Sequence, residues 1–249
     1  SSAASDVYKR QQLSYGLNVV GDKLYLFGDA GKENAGQLVK DTHLNNGDFK
    51  LNIDPNGIVT VANNHPAFLQ DNGGHWYYMD KDGKLMTGPQ TIDGVKVYFR
   101  DSGVQVKGEF TWDGHYYDKD SGALVTNKFV ENYGRTYYLD ENGNKTIGSK
   151  EVNGAWYYFD QYGEQVKGRF ASDDRYYDEN GKQVDFGTNR YFELNGKWYY
   201  AGNDGAILKG PQTIDGVKVY FRQYGAQVKG YFVKDEGCLL YTSDAADDL

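Results

Sequence analysis

Short aromatic and aliphatic runs alternate with polar turns along most of this chain, and no run is long enough for a helix of several turns. Gly, or an Asn/Asp–Gly pair, interrupts the sequence about every ten residues, which favours strands and turns over helices. The segment WYYFDQYGEQVKG at 156–168 shows the unit. It reads as an aromatic strand, a turn with Asp first and Gly fourth, and a return strand.

The unit repeats. Tyrosines standing five residues before a turn glycine fall at Tyr78, Tyr98, Tyr117, Tyr138, Tyr158, Tyr176, Tyr200 and Tyr220, at intervals of 20, 19, 21, 20, 18, 24 and 20. A longer period sits above this one. GPQTIDGVKVYFR occurs identically at 88–100 and 210–222, and QVKG ends hairpins at 105–108, 165–168 and 227–230, so every third hairpin is of one special type. A lone hairpin is marginal in water, so units this small must stack and bury their aromatic faces together. The expected fold is all-β, a β-solenoid of stacked hairpins of about 20 residues. Residues 12–75 fit less well and read as degenerate repeats plus an insertion, with a turn around Asp54, Pro55, Asn56 and Gly57.

The ends look foreign to this pattern. One DNA element read on opposite strands would encode residues 6–11 in one direction and 238–243 in the other, as a sequencing adapter would. We therefore expect residues 1–11 and 238–249 to be non-native tails around hairpin repeats at 76–237, with the true termini and any signal peptide missing. The only cysteine, Cys238, falls in such a tail, which leaves no disulfide or cysteine–metal reading. The tails contribute +1 and −3, so the formal charge of −8 becomes −6 without them. An acidic chain with no basic stripe argues against nucleic acid, and no apolar run approaches the roughly 18 residues of a membrane span. Glycine at 32 of 249 residues, with 23 tyrosines, makes a turn-rich, aromatic-rich composition.

Strand alternation separates core from surface in the special hairpins. A four-residue loop would bury Val97, Phe99 and Val106 together. A three-residue loop would turn Lys96 and Lys218 inward, at a cost of several kcal/mol for an unpaired lysine. The four-residue register places Tyr98, Gln105 and Lys107 on one exposed face, and likewise Tyr158, Gln165, Lys167 and Tyr220, Gln227, Lys229. That trio suits a sugar. A phenol ring packs on the C–H face of a pyranose for about 1 kcal/mol, while Gln and Lys serve its hydroxyl rim. Each site alone is weak, and several on one polymer gain avidity by roughly 10²–10⁴. Tyr78, Tyr138 and Tyr200, each at the same spacing before a special Gln, are candidates for a neighbouring wall. The plainer alternative makes Gln and Lys ordinary solvated strand residues and every tyrosine core. Against it, the other hairpins do not keep the pair and carry Leu85/Thr87, Leu124/Thr126, Lys145/Ile147, Gln183/Asp185 and Ile207/Lys209.

The units WYYMDKDGKLMTG, TIDGVKVYFRDSGVQVKG and WYYFDQYGEQVKG resemble the tyrosine–glycine cell-wall and glucan-binding repeats of bacterial glucansucrases. The resemblance covers 76–237 well and 12–75 poorly. It implies a non-catalytic region of a secreted, sucrose-dependent glucosyltransferase that binds dextran-like α-glucan, with pockets centred on Gln105/Lys107, Gln165/Lys167 and Gln227/Lys229. It also implies an extracellular place, on the cell wall or on glucan. A surface adhesin, or a choline- or receptor-glycan-binding module of the same fold, is the alternative. Choline modules carry Gly–Trp at the start of each unit, whereas Gly108–Glu109, Gly148–Ser149 and Gly168–Arg169 stand here.

Neither a cofactor nor a metal is expected. Asp80-Lys81-Asp82-Gly83 and residues 118–122 look like calcium loops but lack the further ligands and distant Glu of an EF-hand, so they read as turns. His43, His65, His75 and His115 are scattered, and the carboxylates cluster in turns rather than flanking a concave site as in a glycosidase.

Overall fold

The computed structural model describes residues 16–21, 23–29, 31–46, 49–62, 66–71, 73–235 and 238–242. The architecture is all-β, with no α-helix among the described residues. The expected tail at 1–11 lies outside them, whereas of the one expected at 238–249 only 243–249 do and 238–242 are described. Two compact units divide the chain, Ser1–Thr126 and Asn127–Leu249, so the division falls within the repeats.

In the first unit, β1 (Gly16–Val20) pairs with β2 (Lys23–Phe27), and β3 (Thr42–Asn46), β4 (Phe49–Ile53) and β5 (Val59–Val61) form a three-stranded antiparallel sheet. The turn expected at Asp54 is present, with the Gly57 N–H donating to the Asp54 carbonyl at 2.9 Å. Hairpins β6 (Ala67–Gln70) with β7 (Trp76–Met79), β8 (Gly88–Ile92) with β9 (Val95–Phe99), and β10 (Glu109–Phe110) with β11 (Tyr116–Tyr117) follow. Leu17, Leu24, Ile53 and Val59 share one apolar core with Leu69, Tyr77, Met79 and Leu85, so packing runs unbroken across residues 75 and 76.

The second unit repeats the hairpin theme: β12 (Lys128–Asn132) with β13 (Arg135–Leu139), β14 (Gly148–Val152) with β15 (Ala155–Phe159), and β16 (Arg169–Phe170) with β17 (Tyr176–Tyr177). Then come β18 (Arg190–Leu194) with β19 (Lys197–Ala201), β20 (Gly210–Ile214) with β21 (Val217–Phe221), and β22 (Tyr231–Asp235) with β23 (Cys238–Thr242).

The ladder lies one turn earlier than the sequence reading put it. Five residue pairs join β14 to β15 across Asn153–Gly154, whereas the stretch after the Asp160 turn contributes a single bridge, Phe159 to Gln165. The cause is turn chemistry. Asn153 and Gly154 both take positive φ, 52° and 78°, the left-handed pair that a two-residue hairpin turn requires and that matches strand twist. Asp93–Gly94, Asn195–Gly196 and Asp215–Gly216 do the same.

The last residue of each long inner strand is the anchor. Phe99, Phe159 and Phe221 are wholly buried, at about 1.5–3 kcal/mol each. Met79, Leu139 and Ala201 hold the equivalent place in the preceding hairpins, and Tyr117 and Tyr177 in the short ones. This alignment moves the third tyrosine of the series from Tyr117 to Tyr116. The turn at 118–122 carries one extra residue, closed by a Gly122 N–H to Asp118 C=O bond of 2.8 Å, where the other turns close three residues back. With Tyr116 in place, Tyr78, Tyr98 and Tyr116 recur at one constant spacing as Tyr138, Tyr158 and Tyr176.

Candidate functional site

The special hairpins turn through three residues rather than the expected four. The Arg100 N–H donates to the Val104 carbonyl at 2.8 Å, and Phe99 bridges to Gln105. Gln105 therefore stands on the side of Phe99 and is only 6% exposed, with Gln165 at 7%. The expectation that Tyr98, Gln105 and Lys107 share an exposed face is corrected. So is its counterpart for Tyr158, Gln165 and Lys167 and for Tyr220, Gln227 and Lys229.

Val97, Phe99 and Val106 are buried as expected, and Lys96 and Lys218 stay exposed despite the three-residue register. The reason is that the return segment is not a strand. The Gln105 N–H donates backward to the Trp76 carbonyl at 2.7 Å, while the next amide, Val106, donates to Tyr98 at 2.8 Å. Consecutive residues bond to different hairpins, so two-residue alternation does not carry into this segment.

The same backward bond recurs. Gln165 donates to Thr136 at 2.8 Å and Gln227 to Trp198 at 2.7 Å, each acceptor lying on the second strand of the hairpin before. This brings Gln and Lys against a preceding strand that the sequence reading had not included. The Lys107 ammonium lies 5.1 Å from the Trp76 ring centroid, and Lys229 lies 5.0 Å from that of Trp198. Lys167 instead donates to the Thr136 hydroxyl at 2.9 Å. The missed signal was the tryptophan opening WYY at 76–78 and 198–200.

Trp76, Gln105 and Lys107 line a cleft of about 430 Å³ with His75, Arg100 and Glu109. On its other side Lys107 donates to the Asp120 carbonyl at 2.9 Å, and the Gln105 amide crowds Gly122, where a Cβ would lie 2.4 Å from Nε2. Gln165 packs in the same way against Gly181, and its Nε2 donates to the Asn180 carbonyl at 3.2 Å. Gln105 Nε2 and both amide atoms of Gln227, by contrast, are buried without a hydrogen-bond partner. Most buried polar side-chain atoms are paired, because an unmade bond costs about 1–3 kcal/mol.

The tyrosines distribute differently. Tyr78 packs edge-on to Phe68 at 4.7 Å, Tyr138 to Phe129 at 4.9 Å and Tyr200 to Tyr191 at 4.8 Å, so all three serve aromatic clusters between strands. Tyr98 lies 5.9 Å from Tyr117, and Tyr158 lies 5.9 Å from Tyr177, with the planes inclined at 46° and 47°. Tyr98 lines a separate cleft with Trp112, a residue the sequence reading passed over.

The turn aspartates are occupied as turn caps. Asp80 accepts from the amides of Asp82 and Lys84, and Asp118 from those of Asp120 and Ser121. Asp140 sits below the usual carboxylate range; burial opposes this, and the amides of Asn144 and Asn142 outweigh it. His43 bonds Asn52, His75 faces Asp71 at 3.0 Å and His115 faces Asp113 at 3.2 Å, while His65 lies outside the described residues.

A family model described as a choline-binding repeat matches residues 86–129 and 146–185, and one described as a putative cell wall binding repeat matches 67–85 and 189–207. Glucosyltransferase-S of Streptococcus mutans is 42% identical over 173 residues, 66% of this chain and 11% of that protein. Glucosyltransferase-I of the same organism is 36% identical over 237 residues, 92% of this chain and 16% of that protein. The chain thus spans a tenth to a sixth of the length of these relatives. The modular autolysin LytC from Streptococcus pneumoniae shares the fold, at a TM-score of 0.50 and 18% identity over 86% of this chain and 52% of that one. The chain belongs to the choline-binding and cell-wall-binding repeats, is homologous to streptococcal glucosyltransferases, and matches them through repeats rather than through a catalytic domain.

Proposed function

We propose that this chain is a non-catalytic, multivalent α-glucan-binding region, with a dextran-like polysaccharide as ligand and a glucosyltransferase as the protein it serves. The observation that carries the reading is the Gln105 amide. It is more than nine-tenths buried, its nitrogen has no partner, and it lines a cleft with Lys107 and Trp76. A sugar hydroxyl accepts from such a donor, and an indole beside it offers a face for pyranose C–H groups. The glucosyltransferase relatives and the tyrosine–glycine pattern favour glucose over other sugars. Such a ligand places the protein outside the cell, on wall or glucan.

The three special hairpins are unequal in this reading. Gln105/Lys107 and Gln227/Lys229 keep unpartnered amides and a tryptophan, whereas Gln165 and Lys167 are satisfied by Asn180 and Thr136. Two working pockets follow, with the tyrosines supporting them from the core. The backward amide bonds, repeated at each special hairpin, support a β-solenoid in which each special hairpin docks on the one before it.

Affinity electrophoresis of the full chain in dextran tests the reading. Retardation is expected, weakened by Gln105→Ala with Gln227→Ala and unchanged by Gln165→Ala. Unretarded migration in every α-glucan overturns the function, and retardation indifferent to the Gln105/Gln227 pair overturns the site.

A further inference from the structure

The cleft lined by Tyr98 and Trp112, about 270 Å³, is built around an aromatic ring that the fold does not use. Trp112 is 88% exposed, an unusual position for the largest apolar side chain. It is nonetheless fixed. Its indole N–H donates to the Tyr98 hydroxyl at 3.0 Å. It also stands in a closed turn, where the Gly114 amide donates to Thr111 C=O at 3.0 Å and the Thr111 hydroxyl donates to His115 C=O at 2.9 Å. A ring held by its edge keeps its faces open, which is what stacking on a sugar requires. Arg100, Asp101 and Glu109 supply donors and acceptors around it.

Arg100 and Glu109 are ion-paired, and both line this cleft and the Gln105 cleft. The two depressions therefore adjoin across one polar ridge. The second repeat block supplies an internal comparison. Tyr158 and Tyr177 reproduce the geometry of Tyr98 and Tyr117, but Ser172 stands where Trp112 does, Asp160 replaces Arg100 and Arg169 replaces Glu109. The tyrosine pair persists without the tryptophan, so packing does not demand the indole.

We propose that Trp112, braced by Tyr98, is a second glycan subsite contiguous with the Gln105 cleft, so that the first block grips an internal stretch of polysaccharide across both. This rests on the glucan-binding reading and adds a subsite and a chain-length requirement to it.

Trp112→Ser, which copies Ser172, tests it with dextran and isomaltooligosaccharides of increasing length. The expected result is a roughly 5–10-fold loss of dextran affinity, in line with the usual worth of one aromatic contact. The gain in affinity with oligosaccharide length should also stop at a shorter oligomer than in the unmutated chain. Tyr98→Phe, which removes the acceptor and leaves the ring, should fall between. Identical length dependence in Trp112→Ser and the unmutated chain overturns the subsite. If the unmutated chain binds none of these sugars, the glucan reading itself fails.

Discussion

The Lys107 ammonium stands 5.1 Å from the centre of the Trp76 ring, and Lys229 repeats the relationship on Trp198 in the second unit. A quaternary ammonium seeks such a ring face, so each lysine occupies the place that choline would take. The unmutated chain should show no change in tryptophan fluorescence on titration with choline, and Lys107→Ala with Lys229→Ala should gain one. Saturable choline binding at these rings with the lysines intact would contradict this.

The glutamines should trade stability against binding. Gln105→Leu removes a buried amide nitrogen that bonds nothing, so its urea midpoint should hold or rise while dextran retention falls. Gln165→Leu loses the bond to Asn180 and should cost about 1 kcal/mol in the same assay, with retention unaltered.

Glycines of like φ should differ in their tolerance of alanine. At Gly94, φ is 81° and a Cβ meets nothing within 4 Å, so Gly94→Ala should cost only left-handed strain, about 1–2 kcal/mol. At Gly181, φ is 79° and the Cβ would lie 2.1 Å from Gln165 Nε2, so Gly181→Ala adds overpacking and should cost about 2–4 kcal/mol. Equal losses of stability at the two positions would refute the packing described for Gln165.

Alkali should unfold the repeats through their phenols. Burial pushes Tyr77 and Tyr117 up to about 12, with the Asp71 carboxylate adding to the effect at Tyr77 and Asp113 at Tyr117. The folded state prefers the neutral phenol, so its contribution is complete below about pH 10 and disappears as pH rises through 12. A displacement of about two pH units is worth at most a few kcal/mol for each ring. Phenolate absorbance should thus rise in step with loss of far-ultraviolet circular dichroism between pH 10 and 12. Ionisation of all tyrosines near pH 10 without unfolding would be the contrary result.

The repeat period, the all-β class and the buried Val97, Phe99 and Val106 were legible in the sequence, because they depend on spacing and hydrophobicity alone. The loop register was not. Keeping Lys96 out of the core favours a four-residue loop on alternation alone, whereas the structure keeps Lys96 in water by limiting the return segment to one bridge. The Gln-x-Lys pair was legible as special, but its partners Trp76 and Trp198 belong to the hairpin before, and only the backward amide bond brings them together. Trp112 went unnoticed because it belongs to no repeat: its counterpart in the next block is Ser172.

The backward amide bond has an evolutionary corollary. Gln105 reaches Trp76 and Gln165 reaches Thr136 over the same interval, and the two glutamines hold equivalent positions in successive blocks. A gene that duplicates one such block in frame therefore adds a complete docking surface together with a copy of the residues that meet it. Valency can grow or shrink by recombination while existing contacts are preserved, and individual blocks are then free to gain a tryptophan or lose one.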